Sequence, residues 1–323
     1  MEVLVTGGAG YIGSVIATRL IERGHGVTVY DDLFRGHRDA VPAAARFVQG
    51  DIRDVTRLRA TLVEGRCGAI VHMAALAEVG ESVAQPDWYH SVNVDGTAAV
   101  VAAAATAGAD RLVFSSTAAV YGAPARTPIE EDDVLAPTNP YGETKLACER
   151  LLGQARDAGS LAFTALRYFN ACGAVGSQGE DHDPESHLIP LALRAARDAA
   201  PIRVFGDDYP TFDGTCVRDY VHVADLADAH VAALERLPHK QGAFNLGTGS
   251  GDSVQRVLDV VEEVTSLTLR REITSRRAGD PPALVASNAR ARAALQWRPR
   301  RTLEDAVRDA WLWICSHPGG YAV

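Results

Sequence analysis

Cysteine is scarce and dispersed in this chain. The five residues Cys67, Cys148, Cys172, Cys216 and Cys315 are odd in number and form no CxxC pair. That pattern argues against a disulfide scaffold or a zinc site and suits a reducing compartment. The plain reading of each is a small buried hydrophobe, and no motif calls for a metal. No apolar run approaches the ~20 residues of a membrane helix. No signal peptide is visible either, because Glu2 is acidic and a glycine cluster opens at Gly7. Basic residues are outnumbered 32 to 41, for a net charge of −9. Such a chain is poorly suited to bind nucleic acid or an anionic membrane through its overall field, although a local basic pocket remains open to it. There is no internal repeat and no low-complexity tract, and the short charge runs Glu130–Asp133 and Arg298–Arg301 read as solvated surface. The expectation is a soluble, cytoplasmic protein.

What is present is ordinary globular composition, 47% hydrophobic and 23% charged over 323 residues, enough for about two domains. Val3-Leu4-Val5 reads as a short buried strand, and Ile12 to Arg23 has helical spacing with Ile12, Ile16, Leu20 and Ile21 on one face. Further strands are predicted at 27–30, 46–49, 69–72, 111–115 and 161–166, with helices at 57–63, 92–107 and 141–156 between them. Strands alternating with helices imply right-handed crossovers and a parallel sheet. Past Arg167 the pattern loosens. A loop at 171–186 precedes a helix at 188–197, a strand at 202–205, a loop at 207–214 and a helix at 223–234. A strand at 243–246, a helix at 253–265, a strand at 267–273 and a helix at 303–316 follow, which together read as a smaller, irregular α/β lobe.

The run Gly7-Gly8-Ala9-Gly10-Tyr11-Ile12-Gly13 lies between a strand and a helix, with GxxGxxG spacing. Glycine there permits a tight turn and close backbone approach to a pyrophosphate, and the helix N-terminus supplies N–H groups and a positive dipole. A glycine turn alone is weak evidence, since many βα turns hold no ligand. The context is stronger, because the next strand ends at Asp31, about 20 residues on, where a carboxylate binds ribose hydroxyls and repels a 2′-phosphate. NAD is therefore favoured over NADP. Asp51-Ile52 follows the third strand, near the adenine of such a dinucleotide. Asp51 is also placed to cap the helix after it.

Tyr141 and Lys145 have YxxxK spacing, one turn apart on a single helix face. A tyrosine with a pKa of roughly 10 is a poor base at neutral pH. A nearby ammonium favours the phenolate, as does the positive charge of an oxidised nicotinamide. Tyr141 could then take a proton from a substrate hydroxyl while a hydride leaves the same carbon. Isolated YxxxK pairs are more often exposed aromatic–cation contacts. Here Ser115-Ser116-Thr117 ends the strand just before the pair, and the Thr117 hydroxyl can reach the reacting oxygen.

With GGAGYIG at the start, SSTAAVYG at 115–122 and YGETK at 141–145, the chain resembles the extended short-chain dehydrogenase/reductase superfamily and, within it, the UDP-glucose 4-epimerase family. The likeness continues through HMAA at 72–75, RYFN at 167–170, GDDYPT at 206–211, VRDYVHV at 217–223 and HPGGY at 317–321. The resemblance implies an α/β fold, a Rossmann-like doubly wound parallel sheet with a smaller C-terminal α/β substrate domain. Residues 1–167 would bind NAD and 168–323 a UDP-sugar, with a segment near 217–247 returning to the first domain. It implies epimerisation at the sugar C4 through a transient 4-keto sugar, with Tyr141, Lys145 and Thr117 catalytic. By the same resemblance Gly7, Gly10, Tyr11, Ile12, Gly13, Asp31, Asp32, Asp51 and Ile52 bind NAD, joined by Met73, Ala74, Ala75, Asn93, Ser115, Lys145, Tyr141 and Phe169. Thr117, Tyr141, Asn170, His187, Leu188, Arg203, Phe205, Arg218, Arg277, Asp280 and Leu284 hold the UDP-hexose. Arg218 and Arg277 suit a diphosphate, and Phe205 suits a uracil face. A homodimer through the helices at 92–107 and 141–156 is implied as well.

Two positions depart from the family pattern. Ala77 stands where many relatives have a lysine near the nicotinamide, and Leu284 where some have a tyrosine that narrows the sugar pocket. The second departure opens room for N-acetylated sugars. A 4,6-dehydratase is disfavoured because Ala118-Ala119 replace its acid–base pair. A UDP-glucuronate-acting enzyme and a non-catalytic NAD sensor are the remaining rivals.

Overall fold

The computed structural model describes residues 1–277 and 279–321. Seven strands make one parallel sheet in the spatial order Gly242–Leu246, Ala162–Tyr168, Arg111–Thr117, Ala69–His72, Glu2–Thr6, Gly26–Asp31, Arg46–Gln49. The order reverses direction at Glu2–Thr6, and in doubly wound sheets the ligand crevice opens at the carboxyl ends of the strands flanking that reversal. The strands are near-continuous apolar runs because helices cover both faces. Val3, Val5, Val27, Val29, Val71 and Val113 point to one side, packing under the helices Tyr11–Glu22 and Val223–Arg236. Leu4, Ile70, Leu112 and Phe114 point to the other, against Val55–Glu64, Gly96–Ala107 and Pro140–Asp157.

A second core lies where the helices Leu188–Arg197, Val254–Thr265 and Leu303–Ser316 meet around Val257, Leu258, Val307 and Trp313. Three small sheets border it. Pro201–Phe205 pairs with Arg270–Thr274, Asn170–Cys172 with Tyr220–His222, and Val217–Arg218 lies between Asp252–Ser253 and Ala283–Leu284. The chain crosses between the two bodies more than once, since Gly242–Leu246 forms an edge of the large sheet after the small sheets have begun.

Several sequence expectations need correction. The strand expected at 111–115 runs on to Thr117, which brings all three hydroxyls of Ser115-Ser116-Thr117 to the strand end. The helix expected at 92–107 is two pieces, a π-type turn His90–Asp95 and then Gly96–Ala107. Gly96 sits at the join because a Cβ there would stand 2.5 Å from Ile52. The loop expected at 171–186 begins as the strand Asn170–Cys172. The strand expected from Leu267 starts at Arg270. Three short helices, Val79–Ala84, Pro86–Tyr89 and Ala289–Leu295, gave no periodic signal in so few residues.

The charge runs are not wholly solvated. The Glu131 side chain is 4% exposed and accepts the Asn245 N–H at 2.8 Å, and Arg301 pairs at 2.6 Å with buried Asp225. Four cysteines are buried, as small hydrophobes, whereas Cys315 is exposed. Among the described residues no helix is long and apolar enough to cross a membrane.

Candidate active site

The glycine-rich turn is packed too tightly for side chains. Gly7 has φ +69°, and a Cβ on it would lie 2.5 Å from the Ala74 nitrogen; one on Gly13 would lie 2.1 Å from the Gly7 carbonyl oxygen. At Gly10, by contrast, the nearest atom to a Cβ is 3.4 Å away. The helix Tyr11–Glu22 starts at Gly10 without any side-chain cap, so its first-turn N–H groups, including those of Tyr11 and Ile12, face the groove unpaired within the helix. This is a cradle for a pyrophosphate. The Tyr11 hydroxyl itself is engaged elsewhere, donating to the Gly173 carbonyl at 2.6 Å.

Asp31 closes one side of the groove. Its carboxylate accepts the Ala9 N–H at 3.0 Å and the Leu33 N–H at 2.8 Å, one on each oxygen, which leaves lone pairs for ribose hydroxyls. Burial pushes its carboxyl up, against the pull of those two N–H groups. Asp32 is exposed and accepts the Phe34 N–H at 2.9 Å. Asp51 does not cap the following helix. Asp54 does, accepting the Arg57 N–H at 2.9 Å, while Asp51 is held by Arg53, whose guanidinium keeps its carboxyl below the ordinary range. Ile52 is buried beneath Gly96. Across the groove the Met73 and Ala74 N–H groups bond to the Thr6 carbonyl, which lays the stretch through Ala75 along the glycine turn. Asn93 supports that stretch from behind, accepting the Leu76 N–H at 2.8 Å and donating to the Leu76 carbonyl and to Thr144.

The reacting corner is built by the helix Pro140–Asp157. Asn139 caps it through the Gly142 N–H at 2.9 Å, and Pro140 sits in its first turn, where a missing N–H costs nothing. Tyr141 and Lys145 then share a face, as their spacing requires. Lys145 bonds a backbone carbonyl rather than the Tyr141 hydroxyl. The Lys145 ammonium donates to the Ser115 carbonyl at 2.8 Å and lies 6.0 Å from the Tyr141 ring centre. Burial pushes Lys145 down to about 8. Burial likewise raises Tyr141 to about 12, with the Thr117 hydroxyl beside it pulling the other way and Glu78 adding to the rise. Thr117 accepts the Ala119 N–H at 3.1 Å and so keeps its own proton to donate.

The residues expected around the substrate gather on the small sheets. Leu284 is in register with Arg218, and Arg218 lies 3.3 Å from Asp280 while donating to the Val217 and Pro281 carbonyls. Phe205 ends the strand Pro201–Phe205, and its ring is covered by the Arg277 guanidinium at 4.1 Å. Arg203, two residues earlier on the same face, is exposed. Asn170 donates its N–H to the Asp219 carbonyl at 2.9 Å. Phe169 and Leu284 each pack against the cluster of Val120, Tyr121 and Leu146, which joins these small sheets to the reacting corner.

His187 precedes Leu188 at the start of its helix. Its Nδ1 lies 2.8 Å from Glu180 and 3.1 Å from Glu185, and His182 is close by. These four residues are the one cluster of potential metal ligands among the described residues. Burial disfavours charge on His187, but the two carboxylates push it up to about 11. Within the cluster His182 Nδ1 and Glu185 Oε2 are buried without a hydrogen-bond partner among the described residues.

A family model described as the NAD dependent epimerase/dehydratase family matches residues 3–247. The chain belongs to the NAD dependent epimerase/dehydratase family. It is 47% identical to UDP-glucose 4-epimerase of Halalkalibacterium halodurans, over 100% of this chain and 98% of that one. A crystal structure of a UDP-glucose 4-epimerase superposes with TM-score 0.97 at 42% identity, covering 100% of each chain. The UDP-glucose 4-epimerase of Stenotrophomonas maltophila, solved with bound NAD and formylated UDP-arabinopyranose, superposes with TM-score 0.95 at 41% identity, covering 98% of this chain and 99% of that one.

In this member of the epimerase/dehydratase family the cradle, the free helix start and the Asp31 carboxylate fit NAD. Sequence reasoning missed the polar network that fixes the reacting strand end. Glu149, one turn beyond Lys145, accepts from Ser116 at 2.5 Å and from the Arg167 Nε at 2.9 Å. Arg167 also donates to the Tyr121 hydroxyl, which donates to Asn245. The signal was available, since Tyr141, Lys145 and Glu149 repeat every four residues. Tyr168 was missed too. Its hydroxyl bonds the Ser115 hydroxyl, so Ser115 meets a cofactor only after sharing that bond.

Proposed function

We infer that the chain interconverts UDP-galactose and UDP-glucose by taking the sugar C4 through a ketone and back. The observation that carries this reading is the pairing of Tyr141 with a proton-donating Thr117 at the strand ends, beside a glycine cradle that fits NAD. What NAD supplies when bound is a hydride acceptor and donor for C4, and its positive ring favours the Tyr141 phenolate that burial alone opposes. Tyr141 removes the O4 proton, and Thr117 holds the same oxygen by a hydrogen bond. When the ketone presents its other face, Tyr141 returns the proton as the hydride comes back. No net oxidation results. Arg218 gives up part of its contact with Asp280 to meet the diphosphate, and Arg277 turns from the Phe205 ring to do the same or shares the ring with uracil. We propose the division of labour in which residues 1–167, with about 217–247, carry the cofactor and the remainder carries the nucleotide sugar.

The decisive assay incubates the purified protein with UDP-galactose and no added NAD, following UDP-glucose by NMR. Product is expected. Its absence, both without and with added NAD, would remove the reading.

A finer reading concerns sugar range. Leu284 stands half-buried against the cluster of Val120, Tyr121, Ile129 and Leu146, and a tyrosine there would fill the space beside it. Turnover of UDP-GalNAc relative to UDP-galactose is expected to fall about tenfold or more in Leu284→Tyr, the scale of a steric misfit in a packed pocket. Equal ratios in the two proteins would sink it. We also propose a cytoplasmic homodimer joined through the helices Gly96–Ala107 and Pro140–Asp157. Sedimentation giving a monomer at micromolar protein would contradict it.

A further inference from the structure

One aromatic residue outside the chemistry joins two walls of the cofactor groove. Tyr321 follows the helix Leu303–Ser316 and the turn at 317–320, and is 7% exposed. Its hydroxyl accepts the Gly179 N–H at 3.0 Å, and its own N–H donates to Asp181 at 2.9 Å. Both partners lie in the loop that carries His182 and His187. That loop passes in front of Tyr11, with the Tyr11 and His182 rings 6.5 Å apart edge to face. On its other side the Tyr321 ring stacks on His37 at 4.8 Å. His37 belongs to the segment after Asp31, where its N–H donates to the Ala9 carbonyl of the glycine turn at 2.8 Å. His37 Nε2 also stands 3.0 Å from the Asp181 carbonyl oxygen.

The arrangement leaves little room for other residues. Gly320 has φ +78°, and a Cβ on it would lie 2.2 Å from the Asp181 carboxylate. A Cβ on Gly179 would lie 2.2 Å from the Trp313 ring. Trp313 adds a bond from its indole N–H to the Ser177 carbonyl at 3.0 Å. None of these groups has a task in the proton or hydride chemistry. What they share is the loop 177–181, held against the segment after Asp31. The same loop continues to Asp183, whose carbonyl accepts from Arg35, and to Ser186, which donates to Glu78 just past Ala75, so it reaches from the Asp31 side of the groove to the Ala75 side.

We propose that Tyr321 and Asp181 are positioning residues, forming a latch that holds the loop 179–187 across the cofactor groove so that the dinucleotide stays bound from one turnover to the next. The latch rests on the reading of the groove as an NAD site. An epimerase that reuses its cofactor gains nothing from releasing it, and release at the ketone stage leaves an enzyme without its hydride carrier. Holding the loop by contacts on both walls slows opening of the groove without touching the reacting atoms.

The test uses protein purified with its dinucleotide. Bound NAD is measured by acid extraction after prolonged dialysis, and epimerase activity is followed after dilution with and without added NAD. Tyr321→Ala is expected to lose NAD about tenfold faster than wild type, to lose activity on dilution, and to recover it when NAD is restored. At saturating NAD and UDP-galactose, kcat is expected to be unchanged. Tyr321→Phe keeps the stack on His37 and lacks the bond to Gly179, so it is expected to fall between the two. Retention of NAD at the wild-type rate by folded Tyr321→Ala overturns the latch. So does loss of activity that added NAD does not restore, which would mark a merely structural role. If Tyr321→Ala does not fold, Tyr321→Phe and Asp181→Asn decide by the same measurements, and wild-type retention in both overturns the proposal. A wild-type protein that carries and binds no NAD at all refutes the reading of the groove, and the latch with it.

Discussion

Replacing Tyr141 with phenylalanine is expected to lower kcat by about 10²–10⁴-fold, the range that a positioned proton-transfer group supplies, while NAD remains bound. The change removes one oxygen and leaves the ring in place. The cradle for the dinucleotide lies on another element, the turn from Gly7 to Gly13, so binding and chemistry separate in this variant. Single-turnover reduction of bound NAD by UDP-galactose, read by absorbance, is the direct measurement. A variant that kept full turnover would sink the assignment of Tyr141 as the base.

The pH dependence is a second reading of the same group. The active form is the phenolate, so activity must fall as pH drops below the Tyr141 pKa and level off above it. Without cofactor that pKa stands at about 12, raised chiefly by burial, with Glu78 adding and the Thr117 hydroxyl opposing. The positive ring of bound NAD would lower it, adding to the Lys145 ammonium, which lies 6.0 Å from the Tyr141 ring centre while donating to the Ser115 carbonyl. The rising limb of the rate profile is therefore expected well below pH 12 in protein loaded with oxidised NAD. Tyr141 in NAD-free protein, titrated by ultraviolet absorbance, is expected to remain protonated through that limb. Coincident titrations with and without NAD would show that something other than the cofactor charge ionises the phenol.

Much of this site is legible in the sequence because its parts are local. The glycine turn, the Tyr141–Lys145 spacing and the hydroxyl run 115–117 each lie within one element or one junction, where residue spacing converts directly into geometry. Asp31 needs only the end of the next strand. The features that escaped depend on contacts between distant segments. Glu149 with Arg167, Tyr121 with Asn245, and Tyr321 with Gly179 are separated by 18, 124 and 142 positions. No periodicity links such pairs. The misjudged charge runs have the same cause, since Glu131 is buried by Asn245 from a strand more than a hundred residues away. Short helices such as Pro86–Tyr89 are too brief to show a 3.6-residue repeat. The Lys145 contact needs both kinds of information: spacing places the ammonium on the Tyr141 face, and a backbone carbonyl of the neighbouring strand, which spacing does not show, receives its hydrogen bond.

Two glycines of the same turn separate folding from cofactor binding. Gly10→Ala is expected to keep the melting temperature within a few degrees while bound NAD is lost. Gly10 has φ −79°, which alanine adopts freely, and its Cβ would meet nothing closer than the Gly7 carbonyl oxygen at 3.4 Å. The added methyl instead projects into the mouth of the cradle, where the backbone must approach the pyrophosphate closely. Gly13→Ala is expected to lose both. Its Cβ would lie 2.1 Å from the Gly7 carbonyl oxygen and 2.9 Å from the Gly7 carbonyl carbon, contacts with backbone that no rotamer can relieve. Overpacking of this kind costs roughly 1–3 kcal/mol or more, and the shift that relieves it moves the turn away from the helix start. Thermal melting and extracted NAD, measured together on both variants, check the pair. Wild-type NAD content in Gly10→Ala would mean that the pyrophosphate does not pass over Gly10, and the cradle would have to be placed elsewhere along the strand ends.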